Sequence, residues 1–383
     1  MSHIYNCTGH ETRLPNIVDS SGVYVIDSEG RRYMDLESGV WCTALGHNNP
    51  SVGKAMKRQI DAVVHAGFSY AAPVVEDAAA SILEIAGLTG GRCVFLSSGS
   101  EAIELARQTA RHLTGKRKSM TLHDSYLGSY SSVIDREYGW HIYDWSRCID
   151  CPAATEPGVD CEEVRRIPEG ISEFIFEPGS SSGFVRFPPR TLVENIVRVV
   201  RANGGKVVAN EVTTGAGRTG NWFGYQHYDL EPDIVAIGKG IGNGYPVSVT
   251  AFSPGISADL EASTFHYMQS HQNDPLGAAV VDEVIRVITE SDLVAKAADK
   301  GRVFADQLQS LVDGTIVTGF RGRGLMFAID LRDQATGDHI FEQLLDRGYI
   351  VGNRGSLFRI DPPLTITEAE FTRFAEDFKA ILS

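Results

Sequence analysis

The sequence lacks the features that place a protein in a membrane or on a nucleic acid. No apolar run reaches the roughly 18 residues that a membrane-spanning helix needs, and residues 1–6 lack the basic-then-apolar layout of a signal peptide. Basic residues are few: 35 lysines and arginines face 49 acidic residues, which gives a net charge of −14. An acidic chain without a basic block is a poor partner for phosphate backbones or anionic lipid. We therefore expect a cytoplasmic protein that binds neither nucleic acid nor membrane.

Cysteine is also scarce. Six cysteines in 383 residues are too few for a disulfide scaffold in a chain of this length, so we expect reduced thiols. Cys148, Cys151 and Cys161 fall in one polar stretch, and the first two have the spacing of a metal-ligand pair. A structural zinc needs four ligands, and a fourth would have to come from a residue such as His141. We favour plain loop thiols and predict no metal.

No low-complexity tract, repeat or linker divides the chain, although single cores stop growing at roughly 250–300 residues. Beyond residue 50, helical segments alternate with short apolar strands, which favours an α/β fold with a mostly parallel sheet flanked by helices. The two ends of the chain predict a smaller α+β domain. The N-terminal part supplies a hairpin over 22–35, and the C-terminal part supplies a long helix from 275 to about 311 and then short strands. The predicted bounds are 49–273 for the large domain, with 1–48 and 274–383 for the small one.

Polar residues follow several predicted strands at their carboxyl ends, where open α/β sheets bind ligands. The run SSGSEA at 97–102 leads into a helix; new helices attract phosphate, although an ordinary helix cap is the alternative. The run GKGIGNGYP at 238–246 places Lys239 directly after the last predicted strand of the sheet. Lysine is rarely buried without a partner, and a buried lysine of lowered pKa suits Schiff-base chemistry. EPG at 177–179 and NEVTTG at 210–215 end two further strands.

A phosphate loop, a strand-end lysine and polar groups on neighbouring strands describe a pyridoxal phosphate site. Over nearly its full length the chain resembles the class III aminotransferases, which are fold type I enzymes that use pyridoxal 5'-phosphate. The likeness lies in six ordered motifs: LGHNNP at 45–50, SGSEA at 98–102, EVTTGAGRTG at 211–220, Lys239, RGRGLM at 321–326 and RIDPPL at 359–364. The resemblance implies a homodimer, with its site at the subunit interface. It also implies transfer of an amino group between a carboxylate-bearing amine or amino acid and a 2-oxo acid.

The resemblance also implies roles for single residues. Lys239 would join the cofactor as a Schiff base and then move a proton between substrate Cα and the cofactor. Ser270 would reach the partner subunit's phosphate site. The implied cofactor residues are Gly99, Ser100, Tyr126, Glu177, Asn210, Val212, Lys239 and Ser270. The implied substrate residues are Arg359, a carboxylate clamp, and Trp41 in the substrate pocket.

One position departs from the family pattern. Family members normally have an aspartate where this chain has Asn210, and that aspartate keeps the cofactor's ring nitrogen protonated. A carboxamide can donate to an unprotonated nitrogen, but the ring then withdraws electrons less strongly. A neighbouring acid such as Glu177 or Asp124 could compensate. We predict a transaminase; the alternatives are a racemase, epimerase or decarboxylase on the same cofactor, and a cofactor-binding protein with weak catalysis.

Overall fold

The computed structural model describes residues 3–7, 12–67, 69–148, 151, 161–182 and 185–382. The strands are β1 Ile17–Ser21, β2 Tyr24–Asp27, β3 Arg32–Asp35, β4 Arg92–Leu96, β5 Lys118–Leu122, β6 Trp140–Tyr143, β7 Ile171–Phe176, β8 Lys206–Glu211, β9 Ile234–Ile237, β10 Ser248–Phe252, β11 Val317–Arg323, β12 Met326–Leu331, β13 Tyr349–Ile350, β14 Gly352–Asn353 and β15 Leu357–Ile360. The helices are α1 Ser38–Trp41, α2 Pro50–Ile60, α3 Pro73–Ile85, α4 Gly99–Thr114, α5 Ser131–Ile134, α6 Glu162–Arg165, α7 Arg190–Ala202, α8 Pro254–Glu261, α9 Pro275–Glu290, α10 Leu293–Gln309, α11 Gln334–Asp346 and α12 Glu368–Leu382. Single 3-10 turns lie at Ser146–Cys148, Gly224–Tyr228 and Lys239–Gly242.

The central sheet has seven strands in the order β4-β10-β9-β8-β7-β5-β6. Six of them run in the same direction, and β10 is antiparallel to both of its neighbours. Strands β7 and β9 are buried along their whole length, as expected where helices cover both faces of a parallel sheet. The prediction of a mostly parallel α/β sheet is therefore confirmed.

The prediction that Lys239 follows the last strand of this sheet is wrong. The chain continues into β10, which inserts between β4 and β9 and forms hydrogen bonds with both. All five residues of β10 are buried, and its apolar members join two different hydrophobic clusters. The insertion leaves Lys239 near the middle of the sheet edge instead of at its side.

Two smaller sheets lie outside the central one. In the first, β1, β2 and β3 form a meander, and β13 from the other end of the chain adds in parallel to β3. The second is the antiparallel set β11-β12-β15-β14. Both termini thus contribute to this part of the molecule. The exact boundaries between the two domains stay a prediction.

The single long helix predicted beyond residue 274 is wrong, because the chain forms two helices there. Between α9 and α10, Asp292 has φ of 51°, in the left-handed region that helices cannot continue through. Helix α9 packs on α2 and α3, whereas α10 packs on β11 and α12. The break lets one apolar stretch pack against two different sets of elements.

The helices can also be compared with the length and apolar character that a membrane span requires. Among the described residues, none of them is both long and apolar enough to cross a membrane.

Candidate active site

A cavity opens at the edge of the central sheet where the parallel strands end. Loops that follow β4, β5, β7, β8 and β9 meet there, because parallel strands place their carboxyl ends at one edge. Its lining consists of Gly99, Ser100, Ile103, Tyr126, Leu127, Gly128, Glu177, Ser181, Asn210, Val212, Thr213 and Lys239. Seven residues of the predicted site are among them. Ser270, Arg359 and Trp41 are not.

The first loop is both a helix cap and a cavity wall. Ser98 caps α4, since its Oγ accepts from the Glu101 backbone N at 3.3 Å and Glu101 Oε2 accepts from the Ser98 backbone N at 2.9 Å. The next two residues, Gly99 and Ser100, face the cavity. Backbone N–H groups in the first turn of a helix have no partner within the helix and attract anions. The cap and the anion site that the sequence left as alternatives are therefore compatible.

Two glycines let the loops approach closely. A Cβ on Gly99 would lie 2.6 Å from Val212 Cγ1, and a Cβ on Gly128 would lie 2.7 Å from Ser100 Oγ. Gly128 also has φ of 106°, which favours glycine. Ser100 Oγ accepts from the Ser129 backbone N at 3.0 Å. The anion site thus depends on contacts among loops from three strands.

Lys239 begins the 3-10 turn after β9 and has φ of 47°. Its Nζ lies 5.9 Å from the centre of the Trp41 ring. Burial lowers the pKa of the Lys239 amine; the neighbouring Cys42 and Glu177 raise it, and Arg359 lowers it further. An amine with a lowered pKa is more often neutral, and only the neutral form is a nucleophile or a base.

Asn210 and Glu177 hold the loop that carries Tyr126. The Asn210 side chain donates to the Tyr126 carbonyl at 2.9 Å and accepts from the Val212 backbone N at 3.3 Å. Glu177 accepts from the Tyr126 backbone N at 2.9 Å and from the Ser181 hydroxyl at 2.5 Å. Burial raises the pKa of Glu177 to about 8, although its hydrogen bonds from Ser181 and Tyr126 act to lower it. Asn210 and Glu177 are thus linked through one backbone segment.

Two cavity groups remain available for a ligand. The Thr213 hydroxyl is buried and has no hydrogen-bond partner among the described residues. Tyr126 is 44% exposed, which leaves ring surface free for stacking. An anion-binding helix start, a lysine amine, a carboxamide, a hydroxyl and an aromatic face together fit the phosphate, aldehyde, ring nitrogen, ring hydroxyl and ring plane of pyridoxal phosphate.

Arg359 is deeply buried beside this cavity. It is 1% exposed, its guanidinium carbon lies 4.0 Å from the centre of the Trp41 ring, and its Nη1 donates to the Ser181 carbonyl at 3.3 Å. Its Nη2 donates to the Glu37 carboxylate. Glu37 was not among the predicted residues, because it lies 322 positions from Arg359 in the chain; the available signal was an acidic residue between Leu36 and Ser38. Ser181 was not predicted either, and its signal was a serine-rich run directly after EPG.

The remaining predicted residues lie elsewhere. Ser270 is exposed, in the segment before α9. Cys148, Cys151 and Cys161 are not joined in disulfides; the first is buried and the others are half-buried. These thiols do not bring three ligand atoms within 4.8 Å of one another, in contrast to a group formed by His65, His271 and Asp274.

Comparison with known proteins places the chain in a family. The family model for class-III aminotransferases matches residues 6–134 and 153–382. A LysW-aminoadipate semialdehyde/glutamate semialdehyde transaminase of Sulfolobus acidocaldarius is 28% identical over 353 residues, which cover 92% of this chain and 90% of that protein. An acetylornithine aminotransferase of Methanopyrus kandleri is 30% identical over 373 residues, which cover 94% of this chain and 93% of that protein.

Solved structures show the same fold. An S-selective transaminase from Arthrobacter sp. superposes with a TM-score of 0.90 at 23% identity, and covers 100% of this chain and 95% of that one. An amine transaminase from an uncultivated Pseudomonas species, in a PLP-bound form, superposes with a TM-score of 0.86 at 25% identity over 100% and 97% of the two chains. The predictions of family, fold type I architecture and cofactor are confirmed, and the chain belongs to the class-III aminotransferases, which use pyridoxal 5'-phosphate.

Proposed function

We propose that this aminotransferase moves an amino group between a carboxylate-bearing amine or amino acid and a 2-oxo acid, with Lys239 as its covalent anchor and proton carrier. The observation that carries the proposal is the Lys239 amine, whose pKa burial lowers and which lines a cavity beside the start of α4. Lys239 Nζ would accept a proton from substrate Cα and pass it to the cofactor, and in the second half of the reaction it would move a proton in the opposite direction. A neutral amine is required for the first of these steps.

The other cavity residues would position the cofactor. When bound, pyridoxal phosphate supplies an electron-withdrawing ring that stabilises negative charge at substrate Cα. Gly99 and Ser100 would hold its phosphate, and Tyr126 and Val212 would enclose its ring. Asn210 would face the ring nitrogen. The buried Thr213 hydroxyl would donate to the ring oxygen. The buried Glu177 would fix the Tyr126 loop.

Arg359 would select the carboxylate of the substrate. Its planar guanidinium can bind a carboxylate through two hydrogen bonds, and Trp41 stacked on it at 4.0 Å holds it in position. Glu37 now contacts that guanidinium, so an incoming carboxylate would replace a carboxylate that the chain supplies itself. The compounds named for the relatives, acetylornithine and the semialdehydes of aminoadipate and glutamate, all carry a carboxylate, which supports this substrate class.

We also propose that the active unit is a homodimer. Ser270 is exposed and lies outside the cavity of its own chain. The resemblance to the family implies that this residue contacts the phosphate in the partner subunit's site. Each site would then need a residue from both chains.

The substrate proposal is tested with matched amino donors that differ only in a carboxylate, such as alanine and ethylamine, or 4-aminobutyrate and propylamine. Transfer of a nitrogen-15 label to a 2-oxo acid is measured for each donor. Arg359→Lys keeps the charge and loses the paired geometry, so we expect affinity for the acids to weaken by ~1.5–3 kcal/mol, the value of a charge-assisted hydrogen bond. Simple amines should be little affected.

The matched control is Arg354→Lys, which changes an exposed arginine on a neighbouring loop and should leave both donor types unchanged. Equal losses for acids and amines in Arg359→Lys would show that Arg359 is structural. Racemisation or release of carbon dioxide without transfer of the label would contradict the proposed reaction itself.

A further inference from the structure

Three side chains with metal-binding atoms converge away from the cofactor cavity. His65 lies in the loop after α2, and His271 and Asp274 lie directly before α9. One ligand atom from each residue lies within 4.8 Å of the others. Within the described parts of the chain, this is the group of three that meets that criterion. The two imidazole rings are tilted, with their centres 4.9 Å apart.

The aspartate in this group is held firmly. Its neighbour Asn273 is paired with Phe95 at the end of β4 in both directions, through the Asn273 backbone N and through its side-chain oxygen, each at 2.9 Å. The Asp274 carbonyl accepts the first helical hydrogen bond of α9, from Ala278 N at 3.1 Å. Side-chain exposure rises from 20% for Asp274 to 42% for His65 and 62% for His271. In the single chain, a fixed carboxylate therefore faces two imidazoles that have room to rotate.

Both imidazoles use the same ring atom towards the carboxylate. His65 Nδ1 contacts Asp274 Oδ1, and His271 Nδ1 lies 2.6 Å from Asp274 Oδ2. Each neutral ring that shifts its proton from Nδ1 to Nε2 exposes a lone pair at this point. His271 and Asp274 also border a second cavity at the end of β4, which leaves space for a water as a fourth ligand.

We propose that His65, His271 and Asp274 form a site for one divalent transition-metal ion of the zinc type. Two imidazole nitrogens and one carboxylate oxygen are ligands that suit zinc, whereas magnesium and calcium prefer oxygen alone. Zinc–nitrogen bonds of about 2.0–2.1 Å require the ligand atoms to move slightly apart from their present hydrogen bonds, and the two exposed rings permit this. The ion would cross-link the loop at 61–67 to the segment before α9.

This cross-link has a consequence for the dimer. Ser270 directly precedes His271 in the segment that the ion would fix. If Ser270 contacts the partner subunit's phosphate, occupancy of the site would order the residues that complete that subunit's cavity. This consequence rests on the proposed function, whereas binding of the ion does not.

Isothermal titration of the untagged holoenzyme with zinc chloride tests the proposal. We expect one ion per chain, and substitution by cobalt should give the visible absorption bands of a tetrahedral site. His271→Ala and His65→Ala remove ligands from two separate segments and should each weaken binding by at least about tenfold, the smallest loss seen even for residues that only support a ligand. The control His339→Ala changes an exposed histidine on α11 and should bind zinc like the unchanged protein.

Two results would overturn the proposal. Absence of saturable zinc binding in the holoenzyme would show that Asp274 only bridges two histidines by hydrogen bonds. Binding that persists unchanged in both His65→Ala and His271→Ala would place the ion elsewhere, for example on the cofactor phosphate. Because neither variant alters the cap of α9, loss of folding does not confuse the outcome, and amino transfer by the variants reports on the proposed function separately.

Discussion

Asn210 holds two loops together in the structure, and we propose a second role for it at the cofactor's ring nitrogen. Its side chain donates to the Tyr126 carbonyl and accepts from the Val212 backbone N, so it ties the loop after β5 to the end of β8. We also propose that it faces the ring nitrogen, where the family normally has an aspartate. Glu177 bonds to the Tyr126 backbone and reaches Asn210 only through it. The local network therefore favours Asn210 itself as the polar partner of the ring.

Asn210→Asp should speed up removal of the proton from substrate Cα. A carboxylate stabilises a protonated ring nitrogen through its opposite charge, and the ring then withdraws electrons more strongly. The same change removes the donor to the Tyr126 carbonyl, so we expect the protein to lose ~1 kcal/mol of stability. Deuterium exchange at the donor Cα, followed by NMR in the saturated holoenzyme, measures the first effect; urea unfolding measures the second.

The control for this prediction is Asn195→Asp on α7, which makes the same chemical change away from the cavity. It should leave the exchange rate unchanged. Slower exchange in Asn210→Asp with the cofactor still bound, or a nitrogen-15 shift that shows a protonated ring in the unchanged protein, would mean that another acid serves the ring nitrogen.

At the scale of elements, the start of α4 and the end of β8 form one wall of the cavity. Gly99 allows this contact, because its Cα lies so close to the Val212 side chain that a Cβ would come within 2.6 Å of Cγ1 and 2.9 Å of Cγ2. Real carbon atoms do not pack at such distances. The helix start therefore holds its position only while residue 99 has no side chain.

Gly99→Ala should weaken binding of pyridoxal phosphate, because the helix start or Val212 must move. The double variant Gly99→Ala with Val212→Ala removes both colliding methyl groups and should recover part of the loss. Gly53→Ala, in a helix where a Cβ meets nothing within 4 Å, is the control and should bind the cofactor normally. Cofactor affinity is measured by absorbance titration of the apoprotein, and a double variant no better than Gly99→Ala would contradict this account.

Short-range patterns predicted elements well in this chain. The segments 92–96 and 357–360 form β4 and β15, as expected of apolar runs bounded by turn residues, which specify strands locally. The break between α9 and α10 at Asp292 and the insertion of β10 were missed. Both depend on which surface each segment covers, and that is decided by residues far away in the sequence.

In the candidate site, too, the local features could be predicted from the sequence and the long-range contacts could not. Glycines, serines and the lysine at strand ends could be located in the sequence, because parallel topology brings those ends together. The contact of Glu37 with Arg359 could not be predicted, since it joins the residue before α1 to a residue of β15, and these lie near opposite ends of the chain. Neither could the convergence of His65 with Asp274, which joins two loops.

At the scale of the whole molecule, a homodimer predicts that two defective chains can restore each other. Lys239→Ala removes the anchor in its own site, and Ser270→Asp should repel the phosphate in the partner subunit's site. In a hybrid of the two variants, one site keeps both Lys239 and Ser270, while the other loses both. Co-expressed variants should therefore recover amino transfer that neither shows alone, and failure of purified hybrids to do so would contradict a shared site.

The central claim is that Lys239, one of nine lysines in the chain, is the amine that holds the cofactor. Borohydride reduction of the holoenzyme makes that link permanent, and peptide mapping by mass spectrometry then locates it. We predict the pyridoxyl group on the peptide that contains Lys239, and no such label in Lys239→Ala, which should retain reversible cofactor binding while turnover falls by orders of magnitude. A pyridoxyl group on any other lysine of the unchanged protein would contradict the account.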